Sequence, residues 1–220
     1  MIIVIEGPDG SGKSSVIEHL SNNLYYSDIR TFHLPIREFS VYMKKHLESG
    51  EYPFEAQFES IFQQRSLFCN LSEYNRNPKN IAIISRSVPS TYVYGFSDFK
   101  NQNIPSNIVK DLLCALVKFV PKPDLGFFLM PRFECLQKRR IDRNNKEENL
   151  DIYEKENIAV IRSIYDRYAN LCTKINNCYL NRKWNWLSPY TEIKIDDSES
   201  IEDISLEIEH IIADYQAKIL

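Results

Sequence analysis

The 220-residue sequence has few glycines and histidines, an odd number of cysteines and no long apolar run. Each shortage excludes something. Without an unbroken stretch of about 20 apolar residues, no membrane-crossing helix is expected. Met1 runs straight into an apolar strand pattern, and no basic leader precedes it. The formal net charge of −3 gives no excess of cations with which to bind a nucleic-acid backbone. His19, His33, His46 and His210 are scattered, which argues against a histidine metal site. Cys69, Cys114, Cys135, Cys172 and Cys178 lack metal-type spacing, and most have apolar neighbours. They read as reduced thiols of a cytoplasmic protein. No internal repeat, low-complexity tract or linker breaks the chain, so its 43% hydrophobic content is read as one domain spanning residues 1–220.

What is present is concentrated at the start. The run Ile2-Ile3-Val4-Ile5 leads through Glu6 into Gly7-Pro8-Asp9-Gly10-Ser11-Gly12-Lys13-Ser14-Ser15. This meets the spacing G-x-x-x-x-G-K-[ST] between a strand pattern and an amphipathic helix, where a phosphate-cradling loop belongs. Glycines let successive backbone N–H groups turn inward around a polyphosphate, and the next helix adds its positive dipole end. Lys13 then reaches the β- and γ-phosphates, and the Ser14 hydroxyl is placed to ligate Mg²⁺. The motif implies a nucleoside triphosphate site.

Further along, apolar runs alternate with helical patterns. Strands are expected at Ile2–Glu6, Ile29–Leu34, Ile81–Ser85, Leu125–Met130 and Glu192–Ile195. Val16, Leu20 and Leu24 share one helical face; so do Ile201, Ile204, Ile208, Ile211, Ile212 and Tyr215. Strands rich in Ile and separated by helices read as a parallel sheet covered on both faces, with ligands beyond the strands' carboxyl ends. Arg139–Asn149 is the most polar stretch and reads as a mobile loop, and Ser198 reads as the N-cap of the last helix. The tryptophans Trp184 and Trp186 read as core or loop anchors.

Arginines follow the strands, as phosphate clamps must. Arg37 comes after the second strand in Leu34-Pro35-Ile36-Arg37, and Arg86 after the third in Ser85-Arg86-Ser87-Val88-Pro89-Ser90, with Tyr94 beyond. Arg65 lies in a helical pattern, Phe62-Gln63-Gln64-Arg65. The cluster Lys138-Arg139-Arg140-Ile141-Asp142-Arg143 follows the fourth strand.

These segments, with the phosphate loop and Pro121-Lys122-Pro123-Asp124-Leu125, resemble the thymidylate kinase family in order and spacing. The loop is similar to that family's E-G-x-D-G-x-G-K-[ST]-T. Leu34-Pro35-Ile36-Arg37 is similar to F-P-x-R, and Ser85-Arg86-Ser87-Val88-Pro89-Ser90 to D-R-Y-x-x-S. The resemblance implies a P-loop NTPase-type α/β fold, with a five-stranded parallel sheet and a lid near residues 139–149. It implies transfer of the ATP γ-phosphate to a deoxynucleoside monophosphate, foremost dTMP, with Mg²⁺.

By the same resemblance, Gly7, Pro8, Asp9, Gly10, Ser11, Gly12, Lys13, Ser14, Ser15 and Arg139 would hold ATP. Lys13, Arg86, Asp9, Arg139 and Arg143 would be catalytic, with Arg140 as a further lid cation. Asp9, Arg37, Phe62, Arg65, Arg86, Ser90, Tyr94 and Tyr153 would hold the acceptor. In the branch with glycine at the Gly10 position, the lid is expected to supply the catalytic arginine. A homodimer is the family expectation.

Ser85, Ser87 and Ile152 depart from the family pattern, and the base-stacking residue falls among Ile61, Phe62 and Phe58. A deoxynucleoside kinase is the alternative, since Ser85-Arg86-Ser87-Val88 also resembles its E-R-S-V. Such an enzyme needs a carboxylate base after the second strand, and here no acid precedes Glu38. A catalytically decayed nucleotide-binding protein is the third reading.

Overall fold

The computed structural model describes residues 1–24, 28–34, 54–77, 79–98, 111, 114–115, 117–144, 158–176 and 187–219. Its sheet is five-stranded: β1 (Ile2–Glu6), β2 (Asp28–His33), β3 (Asn80–Ser85), β4 (Leu125–Pro131) and β5 (Tyr190–Ile195), in the order β2-β3-β1-β4-β5. All four pairings are parallel; β1, at the centre, pairs Ile2 with Ala82 on one side and Ile3 with Leu125 on the other. Six helices are described: α1 (Lys13–Asn23), α2 (Phe54–Tyr74), α3 (Val88–Asp98), α4 (Phe133–Asn144), α5 (Ile158–Asn176) and α6 (Ile201–Ile219).

The alternation of side chains along β1 divides the apolar residues between two cores. Ile3 and Ile5 face Val16, Ile17 and Leu20 of α1 and Ile204, Ile208 and Ile212 of α6. Ile2 and Val4 face the opposite layer, built from Ile61, Phe68 and Leu71 of α2, Val93 and Tyr94 of α3, and Ile164, Tyr168 and Leu171 of α5. Because both faces are covered, β1, β3 and β4 read as continuous apolar runs rather than alternating ones. Edge strand β2 is partly exposed and its sequence is mixed. The expected strands are all present, within two residues at their ends.

Two local expectations are corrected. Arg139–Asn144 is not loop but the last part of α4; Lys and Arg are good helix formers, and Leu136 and Arg140 turn one face of that helix inward. The N-cap of α6 is Ser200, not Ser198: its hydroxyl accepts the Asp203 N–H at 3.1 Å while the Asp203 carboxylate accepts the Ser200 N–H at 3.0 Å. Cys69, Cys114, Cys135 and Cys172 are thiols, as expected. Among the described residues, no helix is long and apolar enough to cross a membrane.

Candidate active site

The site grows from the carboxyl ends of β1 and β3. After β1 the chain bends sharply: Gly7, Gly10 and Gly12 have φ of 142°, 87° and 93°. At Gly7 a side chain is excluded twice over, because a Cβ would also lie 2.5 Å from the Leu129 carbonyl oxygen. The resulting loop closes on its own lysine. Lys13 Nζ donates to the carbonyls of Gly7 at 2.9 Å and Pro8 at 2.8 Å, so the cation is held at the loop's centre. Ser14 and Ser15, in the first turn of α1, are exposed.

Asp9 is the point where the loop meets β3. Its carboxylate accepts from Arg86 Nη2 on one oxygen and from the Tyr94 hydroxyl, at 2.8 Å, on the other. Burial alone would raise the Asp9 pKa, but the charges of Arg86 and Lys13 and the Tyr94 hydrogen bond outweigh it and bring it down to about 2. Arg86, also largely buried, stays charged: desolvation is the largest single influence on it, but Asp9, Tyr94 and Tyr168 together outweigh it and raise its pKa. Burial pushes the Tyr94 hydroxyl up, which keeps it a donor.

Arg86 has an unusual backbone. It is the one non-glycine residue among those described with positive φ, 68°. Its N–H still follows the sheet, donating to the Ile5 carbonyl at 3.0 Å. Its guanidinium lies 5.0 Å from the Tyr94 ring centroid and 3.4 Å from Ser90 Oγ. The expected residues Lys13, Asp9, Arg86, Ser90 and Tyr94 are therefore gathered at one edge of the sheet. Ser85, where the family pattern has an acid, ends β3 and is buried.

Other expected residues stand differently. Arg140 is only 5% exposed, packed so close to the loop that its Cγ would sit 3.2 Å from a Cβ at Gly10. Its charge contributes to lowering the Asp9 pKa. Arg139 is half-buried in α4. Arg143 lies in the same helix, with its side chain outside the described residues, as do Arg37 and Tyr153 altogether. Ile61 belongs to the core, whereas Phe62 is 57% exposed. Arg65 donates to the Phe119 carbonyl at 2.5 Å and stacks near that ring, so its contacts do not join the Asp9 cluster.

One residue of the site was missed as a functional candidate. Glu6 ends the apolar strand β1 and is fully buried. Its carboxylate accepts from Ser87 N at 2.5 Å, Ser90 N at 3.4 Å, Ser90 Oγ at 2.6 Å and the Tyr168 hydroxyl at 3.3 Å. Burial raises its pKa; Ser90, Arg86, Ser87 and Lys13 act in the other direction. The available signal was a lone acid closing an all-apolar strand, since such a charge must find buried partners.

Beyond the carboxyl ends of β4 and β5, Arg132 pairs with Asp197 at 2.9 Å, and Cys135 Sγ donates to the same carboxylate. Among the described residues no three His, Cys, Asp or Glu side chains cluster as a metal cage. A Mg²⁺ site does not need one, because that ion keeps waters and takes substrate phosphates alongside one or two protein ligands. The exposed Ser14 hydroxyl beside the loop fits that donor set.

Comparison with known proteins bears on the fold and the family. No curated protein sequence matches the chain. Solved structures do: thymidylate kinase from Candida albicans aligns with TM-score 0.71 and 16% identity, covering 98% of this chain and 92% of that one. Thymidylate kinase from Ehrlichia chaffeensis aligns with TM-score 0.56 and 20% identity, covering 97% and 98%. At such identities these likenesses establish the fold. Among family models, that of thymidylate kinase matches residues 5–184, well over half of the sequence. The chain belongs to the thymidylate kinase family, the ATP-dependent kinases of thymidine monophosphate.

Proposed function

We propose that this nucleoside monophosphate kinase grips its two substrates on either side of Asp9. The phosphate loop, residues 7–15, holds the triphosphate of ATP through its amides, with Lys13 at the β- and γ-phosphates. Arg86 holds the phosphate of dTMP, helped by Ser90 and, on family grounds, by Arg37. Phosphoryl transfer passes through a loose transition state and asks the protein mainly for positioning and cationic stabilisation. Arg139, Arg140 and Arg143 supply further positive charge from the end of α4, which forms the first part of a lid over residues 139–149. Asp9 orients Arg86 and Tyr94 against the acceptor. Arg65, Phe62 and Tyr153 complete the acceptor side. Ser14 would hold Mg²⁺, whose charge, when bound, offsets that of the phosphates.

The observation that supports this most is the contact of Asp9 with Arg86. It joins the residue that follows β3 to the loop that carries Lys13, so the two cations bear on one carboxylate. A monophosphate acceptor is already anionic and needs such a cation, whereas a nucleoside hydroxyl needs a base. Residence in the cytoplasm and assembly as a homodimer complete the proposal, and sedimentation equilibrium tests the second.

An ADP-release assay with ATP and a panel of acceptors tests the activity. Turnover of dTMP and none of thymidine is expected. Turnover of thymidine without dTMP would instead identify a nucleoside kinase, and ATP binding without any turnover a decayed enzyme. Arg86→Ala should raise the KM for dTMP by about tenfold or more while leaving that for ATP within about twofold. Equal losses for both would move Arg86 off the acceptor side.

A further inference from the structure

Arg86 meets Asp9 from just beyond the end of β3. After Ser85 the chain leaves β3 and enters α3 within two residues, and Arg86 takes the left-handed conformation, with φ 68°, to do so. For a side chain as long as arginine this conformation is strained, and it persists only where its surroundings enforce it. The surroundings on one side are the Ile5 carbonyl, which fixes the Arg86 N–H. On the other side is Glu6.

The first amides of a helix lack intrahelical acceptors, and the side chain of the residue flanking the helix normally supplies one. In α3 the acceptor comes from another element. Glu6 Oε1, at the end of β1, accepts from the N–H of Ser87, which precedes the helix, and from that of Ser90 in its first turn. A carboxylate there also suits the helix dipole. Glu6 Oε2 accepts from Ser90 Oγ, and that hydroxyl in turn lies 3.4 Å from Arg86 Nη1. The same Oε2 takes the Tyr168 hydroxyl of α5, which also lies 2.8 Å from Ser90 Oγ. The Glu6 carboxylate thus ties β1, α3 and α5 together directly beneath the residue that grips Asp9.

We propose that Glu6 is a positioning residue for the acceptor clamp. Its buried carboxylate caps α3 from outside the helix, and by fixing Ser87 and Ser90 it holds Arg86 in the left-handed turn that aims the guanidinium at Asp9 and the acceptor phosphate. Tyr168 completes the arrangement by holding Oε2. This deepens the proposed function and rests on Arg86 binding the acceptor. Glu6 itself touches neither nucleotide.

The test is equilibrium binding of dTMP and, separately, of ATP, measured by titration calorimetry on variants shown by circular dichroism to be folded. Glu6→Ala should weaken dTMP by about tenfold and leave ATP within about twofold. Glu6→Gln keeps an oxygen for the Ser87 and Ser90 amides and should restore dTMP to within about threefold of the parent. Tyr168→Phe, a conservative change that keeps the ring, should weaken dTMP selectively by about two- to fivefold. Unchanged dTMP affinity in folded Glu6→Ala would overturn the proposal. So would an equal loss for both nucleotides, or a glutamine that fails to rescue. Should Glu6→Ala not fold, Tyr168→Phe decides: a selective loss supports the proposal and no loss overturns it. Arg86→Ala separates the two layers of argument. If it leaves dTMP binding intact, the acceptor reading falls and this proposal with it. If it weakens dTMP while Glu6→Ala does not, only the role of Glu6 falls.

Discussion

Lys13 and Asp9 sit in one loop with opposite charges and opposite sensitivities. Lys13 is held by backbone carbonyls, so its cation is already in place for phosphate charge. Lys13→Ala should lower kcat by at least a hundredfold, since one preorganised charge contact is worth on the order of 3 kcal/mol. A tenfold loss or less in steady-state assays would count against its role. Asp9 speaks through stability instead. Its pKa falls from 3.8 in the unfolded chain to about 2 in the folded one. A depressed carboxylate stabilises the fold above the unfolded value, and that stability is lost as pH drops from about 4 towards 2. The contribution at neutral pH is about 2 kcal/mol. In urea unfolding across that window, Asp9→Asn should show a correspondingly smaller pH dependence than the parent; parallel curves would show that the Arg86 contact is not made. The loop residues were legible from the sequence because their spacing is dictated by phosphate chemistry. Glu6 was not, because its partners Ser87, Ser90 and Tyr168 lie up to 162 residues away. Nothing local in Ile2-Ile3-Val4-Ile5-Glu6 names them.

At the scale of elements, periodicity carried the strands and the long helices, and boundaries were where it failed. Between Asp196 and Ser200 several side chains are able to cap a helix. Glu199 indeed accepts the Asp196 N–H at 2.6 Å, closing a turn just ahead of α6. What selects Ser200 is the burial of Ile204 and Ile208, which sets where the helix must begin. Ser200→Ala should therefore destabilise the protein by about 1 kcal/mol, whereas Ser198→Ala should be neutral, both read by thermal or chemical unfolding. The reverse ordering would restore the sequence assignment. The basic run at residues 139–144 was misread for a related reason. Polarity suggested a loop, yet Leu136 and Arg140 are spaced four apart and both turn inward, which is a helical signature. The proposed acceptor residues Arg37 and Tyr153, which lie outside the described residues, rest on the family resemblance.

For the molecule as a whole, the alternation of side chains keeps the two cores apart. Phe127 and Phe128 are adjacent in β4 and both fully buried, yet they belong to opposite layers. Phe127→Leu and Phe128→Leu should each cost about 1 to 2 kcal/mol, and the double variant should cost their sum within about 0.5 kcal/mol. A clear departure from additivity in denaturant unfolding would show that the sheet transmits packing strain from one layer to the other. A parallel sheet was foreseeable from Ile-rich runs separated by helices. The strand order was not foreseen, since hydrophobic pattern does not say which strands are neighbours. That order has a consequence for biosynthesis. Ile2–Glu6 is made before both of its partners, Ala82–Ser85 and Leu125–Phe128. Both described pairings are parallel, so a nascent chain halted before Leu125 leaves one edge of this apolar strand open. The central strand is thus translated before both of its neighbours and completed only when the second of them arrives.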